Sequence, residues 1–211
     1  MTKPCVCMFA IGLIVLGAAS APARAVAIAR DGAAQAVVVV DADAGPASQH
    51  AARELAAFLE RVTGGRFDIV NDVAEGRPNL LVGHLAAKRG DAQFTTDGLG
   101  TEGIVIRTVG DDLILAGGAP RGTLYAVYTF LEDHVGCRWW SATASAIPRT
   151  PTLAVKDLDI RYVPPFEYRE VSYFEARNGD YSVRNKLNGQ SHRLFKDDGW
   201  HNARPDAKRG G

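Results

Sequence analysis

Val37 to Val40 are four valines in a row. Branching at Cβ crowds a helical turn and suits a pleated strand, so the stretch AQAVVVVDADA (34–44) reads as a buried strand. The next stretch, GPASQHAARELAAFLERVTGG (45–65), changes period. Leu55, Phe58, Leu59 and Val62 fall at i, i+3, i+4 and i+7, Pro46 suits a first helical turn, and Gly64 and Gly65 stop the run. A buried strand leading into an amphipathic helix is the opening of a layered α/β arrangement.

The pattern continues with turns between the elements. FDIVND (67–72) and NLLVGH (79–84) read as short strands around a turn carrying Gly76 and Pro78, and KRGDAQFTTDGLGT (88–101) as a loop. EGIVIRTVGDDLILAGG (102–118) is a hairpin. Ile104 and Ile106 alternate with Val105 and Arg107, the turn falls at Gly110 and Asp111, and Leu113 to Ala116 return. APRGTLYAVYTFLEDHVG (119–136) is a second helix, with Leu124, Val127, Tyr128, Leu131 and Val135 on one stripe and Gly136 at its end. CRWW (137–140) and LAVKDLDIRYV (153–163) supply two more strands. The expected fold is an α/β (α+β) two-layer sandwich, a mixed sheet with its two main helices on one side.

Pro164 and Pro165 then interrupt the pattern, because neither nitrogen can donate to a ladder. A domain boundary is expected there. Beyond it FEYREVSYF (166–174) reads as a strand, DYSVRNKLN (180–188) as a helix and GQSHRLF (189–195) as the start of another strand. Residues 197–211 have almost no apolar content beyond Trp200 and read as a disordered tail.

The first 25 residues stand apart. Lys3 precedes an apolar run from Val6 to Ala19, and APARA ends in small residues at Ala23 and Ala25. A run of that length is too short to span a bilayer and reads as a secretory signal peptide cleaved after Ala25, with Ala21 or Ala23 as alternative sites, so the mature chain is expected outside the cytoplasm, secreted or periplasmic. Cleavage removes Lys3 and Arg24 and no acid, leaving 22 basic against 24 acidic side chains. That balance offers no attraction for nucleic acid or for a membrane surface. Of the three cysteines only Cys137 remains, and beside two tryptophans it reads as a small buried hydrophobe.

Motifs for chemistry are few. Gly117, Gly118 and Gly122 sit between a strand and a helix, but their spacing fits neither the dinucleotide fingerprint nor the phosphate loop; close strand-to-helix turning explains them better. The histidines at 50, 84, 134, 192 and 201 are scattered, so no metal or other cofactor is expected. Glu167, Glu170, Glu175 and Asp180 cluster late in the chain, yet glycoside hydrolysis needs two facing carboxyl groups and no partner is visible for them. No catalytic residue is therefore assigned. Aromatic residues gather from Trp139 and Trp140 through Tyr162 to Phe174. They suit a domain interface first, and stacking on sugar rings second.

The run EGIVIRTVGDDLILAGGAPRGTLYAVYTFLEDHVGCRWW resembles the N-terminal domain of the α-glucuronidases of glycoside hydrolase family 67. It looks equally like the non-catalytic second domain of family 20 β-hexosaminidases and related secreted bacterial proteins, with AARELAAFLERVTGG and NLLVG fitting the same domain. Past Pro165, FEYREV looks like the first strand of the family 20 catalytic (β/α)8 barrel, and RNKLNGQSHRL like the segment from its first helix to its second strand. Asn185, Lys186, Leu187 and Asn188 stand in the matching places. The resemblance makes Arg169 a sugar-gripping arginine, since a planar fork can donate two parallel hydrogen bonds. Trp139 and Trp140 join it as candidate substrate-binding residues.

The family's catalytic acids lie farther along the barrel than this chain reaches. The resulting organisation is a signal peptide (1–25), an accessory domain (26–163), a truncated barrel start (164–196) and a tail (197–211). Its expected partners are carbohydrate and a missing catalytic barrel.

Overall fold

A computed structural model describes residues 25–189. The expected signal peptide apart from Ala25, the strand start after Gly189 and the tail lie outside the described residues. No described helix is long and apolar enough to cross a membrane.

The chain folds around a six-stranded mixed sheet. Its strands are β3 (Val37–Val40), β4 (Ile69–Val70), β5 (Asn79–Val82), β6 (Ile104–Val109), β7 (Asp112–Gly117) and β11 (Asp159–Tyr162), in the order β11-β6-β7-β5-β3-β4. β4, β3, β5 and β7 run parallel; β6 pairs antiparallel with β7 on one side and with β11 on the other. A smaller antiparallel sheet joins β1 (Val26–Arg30) to β2 (Ala33–Ala34) and to β10 (Leu153–Val155), and β8 (Arg138–Trp139) pairs with β9 (Ser145–Ala146).

The two main helices do lie on one side. Val38, Val40, Leu80, Val82, Leu113 and Leu115 face α1 (Pro46–Thr63) and α3 (Gly122–Phe130), which bring Leu55, Leu59, Leu124 and Val127 into the same cluster. Gly64 ends α1 at φ 86° and returns its amide to the Glu60 carbonyl at 2.8 Å, the left-handed cap expected of glycine. α3 continues through one wide π turn, Leu131–Val135, until Gly136 stops it at φ 94°.

The opposite face is also covered, so the sandwich has three layers and not two. Val37, Val39, Leu81, Val105 and Ile114 pack against Ala86 and Ala87 of a helix α2 (His84–Gly90) and against Phe94 and Leu99 of the loop behind it. This explains the all-valine β3: both of its faces are buried. α2 occupies the end of an expected strand and the start of an expected loop. At seven residues it is too short to show helical periodicity.

Two further expectations are corrected. The strand expected over 153–163 is two strands in different sheets. Between them the chain changes partner at Leu158, whose carbonyl accepts from the Thr108 amide at 2.9 Å and whose amide donates to Thr108 Oγ1 at 3.1 Å. The strand expected over 166–174 does not form; the described chain from Val163 has no strand, only a 3-10 turn (Phe174–Arg177) and α4 (Gly179–Arg184). The backbone there is tied by side chains: the Arg169 amide donates to Asn188 Oδ1 at 2.7 Å, and the Asn188 amide donates to the Arg169 carbonyl at 3.0 Å.

The glycines before α3 are steric necessities, as the sequence suggests. A Cβ on Gly117 would lie 2.3 Å from the Gly103 carbonyl oxygen and 2.4 Å from the Gly122 carbonyl carbon; one on Gly118 would lie 1.8 Å from the Gly100 oxygen. Strand end, helix start and the Gly100–Gly103 turn touch backbone to backbone.

Candidate functional site

Glu102 is the centre of the site. It begins the hairpin segment just before β6, and its side chain is 8% exposed. A buried carboxylate needs partners, and it has three. Arg121, itself 4% exposed at the start of α3, donates to Oε1 at 2.5 Å. Arg169 donates to Oε2, and the Asn188 amide nitrogen lies 3.1 Å from each carboxylate oxygen. Arg169 is fixed further by donating to the Lys186 carbonyl at 2.9 Å and the Phe166 carbonyl at 2.7 Å. Both guanidinium groups lie near the Tyr125 ring, 6.0 Å for Arg121 and 5.8 Å for Arg169.

Two more pairs tie the chain beyond the double proline to the helices. Glu54 of α1 accepts from Arg184 at 2.9 and 3.0 Å and from the Tyr128 hydroxyl at 2.9 Å, while the Arg184 guanidinium stands over the Phe58 ring. Burial disfavours the Arg184 charge, but Glu54, Tyr128 and Asp180 together outweigh it and hold the guanidinium above its ordinary basicity. Lys186 pairs with Glu132 of the π turn. The sandwich thus presents acids, and the segment that crosses it presents the matching cations.

A cleft of about 500 Å³ opens where these parts meet. Ile104, Ile160 and Tyr162 of the β6–β11 edge form one wall, the last two placed opposite Ile106 and Ile104 by the strand register. Tyr125, Thr129 and Asp133 form a second wall; spaced by four residues, they follow one face of α3 into its π turn. Arg169, Asn185 and Lys186 close the end.

Of the residues singled out from sequence, Arg169 lines this cleft and Trp139 and Trp140 do not. Successive strand residues point opposite ways. Trp139 turns into the core, edge-on to Phe58 at 5.4 Å and Tyr128 at 5.7 Å, so its faces are not open to a sugar. Trp140 turns outward and is 62% exposed. Glu102, Arg121 and Tyr125 carry no sequence signal as a site, and Tyr162 only its place in the aromatic gathering: the Glu102–Arg169 contact spans 67 residues, and nothing local marks either partner.

Burial pushes the Tyr125 phenol up to about 12 and the Cys137 thiol up to about 11. Both groups are neutral when protonated, so the folded state holds their protons more tightly than the unfolded chain does. Stability contributed this way is complete below the unfolded values near 9 and 10 and is lost as pH rises toward 11 and 12. We expect urea midpoints to fall steeply across that window, and Tyr125→Phe to flatten its upper part. An unchanged slope in the variant would exclude Tyr125 as a cause.

Residues 23–130 match the model of the glycosyl hydrolase family 67 N-terminus. The chain belongs to that family. Among solved structures, this family 67 N-terminal domain is similar to a family GH115 4-O-methyl-α-glucuronidase with specificity for decorated arabinogalactans. The TM-score is 0.48 at 16% identity, over 65% of this chain and 18% of that one. The chain therefore spans less than a fifth of that protein's length. No curated protein matches it. The family match ends at Phe130, the last residue of α3, so Glu102, Arg121 and Tyr125 lie within it and Arg169, Lys186 and Asn188 beyond it. The charge network thus joins the family 67 domain to chain outside the matched span.

Proposed function

We propose that this chain is the non-catalytic N-terminal domain of an exported glycoside hydrolase-like protein acting in polysaccharide breakdown, on glucuronoxylan or an amino-sugar glycan. On this reading the chain from Pro164, which forms no strand among the described residues, leads from the sandwich toward a catalytic barrel, and the sandwich is the platform for it. The family match supports the assignment, and the observation that carries it is the Glu102 network. The three acids Glu54, Glu102 and Glu132 are each taken up by a cation of the crossing segment, which suits holding a neighbour in register. Along the same crossing segment Phe166, Val171, Tyr173 and Phe174 are between 44% and 75% exposed. Large apolar side chains exposed in such number suit cover by another domain.

The purified chain is expected to release no sugar from nitrophenyl glycosides or glucuronoxylan fragments. Turnover that disappears in Arg169→Ala would overturn the non-catalytic reading.

A further inference from the structure

We propose that the cleft between α3 and the β6–β11 edge is a binding site for a neutral saccharide of one or two rings, with Tyr162 as the stacking platform and Thr129, Asp133 and Asn185 as partners of the sugar hydroxyls. The inference goes beyond the accessory role above and is independent of catalysis, since a chain that hydrolyses nothing can still bind.

Size comes first. About 500 Å³ lies within the range of small-molecule sites, roughly 300–1,000 Å³. The two walls differ in kind. On the strand side Tyr162 is 51% exposed, flanked by Ile160 and Pro164, and presents an aromatic surface edged by aliphatic groups. Such a surface suits the C–H face of a sugar ring, which stacks with little loss of side-chain freedom. On the helix side the groups are short and polar. Asp133 is exposed in the π turn, and its carboxylate has no ion-pair partner among the described residues. Asn185 donates its amide to the Tyr181 carbonyl at 2.9 Å, leaving Oδ1 to accept. A hydroxyl-rich ligand supplies donors for both and an acceptor for the Thr129 hydroxyl.

Charge decides which saccharide. A uronate needs an uncommitted cation, ideally a guanidinium fork. Both cations in the lining are already committed, Arg169 to Glu102 and Lys186 to Glu132. Counting Arg121 with its partner Glu102, three cations balance the three carboxylates Glu102, Glu132 and Asp133, so the lining has no net positive charge to hold a ligand carboxylate, and Asp133 is the one carboxylate of the three without an ion pair among the described residues. An uncharged sugar is therefore favoured.

The test is saturation-transfer NMR and calorimetric titration of the chain with xylobiose, chitobiose and glucuronic acid. A neutral disaccharide is expected to bind with millimolar affinity, and glucuronic acid about tenfold more weakly or not at all. Tyr162→Ala should weaken the neutral sugar about tenfold, with Tyr162→Trp retaining it. Asp133→Asn should relieve the discrimination against glucuronic acid. Circular dichroism checks that the variants, altered at exposed side chains, remain folded. Preference for glucuronic acid, binding that survives Tyr162→Ala in full, or no binding by any of the three sugars would overturn the proposal. None of these outcomes touches the non-catalytic reading, which falls only on turnover.

Discussion

Glu102→Ala is expected to lower the free energy of unfolding by about 3–5 kcal/mol, the loss seen when one member of a buried ion network is removed. The reason lies less in the attraction lost than in the charge left behind. Arg121 is 4% exposed and Arg169 21% exposed, so without the carboxylate two guanidinium groups face each other around Tyr125 with little water to screen them. Asn188 loses both of its contacts to Glu102 at the same time. A drop of this size is a large share of the 5–15 kcal/mol typical of a domain. Glu102→Gln keeps the volume and should lose less, on the order of the 1.5–3 kcal/mol of a charge-assisted hydrogen bond. Urea unfolding reads the total, and amide hydrogen exchange locates it: residues 166–189 should lose protection before the sheet does. A loss below about 1 kcal/mol would show that water replaces the carboxylate easily and that the network does not hold the segment.

Gly122→Ala should be nearly as damaging, against the ordinary trend. In a helix, glycine to alanine usually gains about 1 kcal/mol. Here the added Cβ would sit 2.3 Å from the Gly103 carbonyl oxygen and 2.8 Å from the Gly117 carbonyl carbon. Both are backbone atoms of the hairpin beneath, tied by the hydrogen bond from the Gly118 amide to the Gly103 carbonyl at 2.9 Å. Neither can swing aside as a side chain would, so relief requires α3 to move off the sheet, and Leu124 and Val127 would lose contacts with it. A destabilisation of about 3 kcal/mol is expected. Gly45→Ala provides the contrast, because its Cβ meets nothing within 4 Å; it should cost less than about 1 kcal/mol, the scale of a helix-cap change. Equal thermal midpoints for the two variants would contradict the steric account.

The same glycines show how far the amino-acid order reaches. Three glycines between a strand and a helix, without a phosphate-binding spacing, already say that two backbones meet closely, and the structure places Gly117, Gly118 and Gly122 in that contact. The helical stripe of α1 and the alternation of β6 were equally legible, because each is a local period that burial reads directly. α3 was half legible. Its core stripe was evident, but Tyr125 is also buried, because the segment carrying Arg169 and Asn188 covers that side.

What escaped has one physical origin. α2, the split of 153–163 into two strands, and the irregular path after Pro165 depend on which neighbour is within reach, and no period along the chain encodes that. FEYREVSYF alternates as a strand does, yet no sheet edge receives it, while Asn188 and Glu102 bind its arginine. Tyr162 reads only as one of several late aromatic residues until the register sets it beside Ile104 and the cleft opens in front of it.

The order of residues was enough to establish the layered α/β core, because strand and helix periods and glycine contacts are properties of neighbouring residues; the family rests on the match of residues 23–130 and not on those periods. Folding in three dimensions was needed to bring Glu102 to Arg169 and Glu54 to Arg184, across 67 and 130 residues. An ion pair is selected by distance and burial in space, and a lone carboxylate in the sequence carries no mark of the cation it will meet.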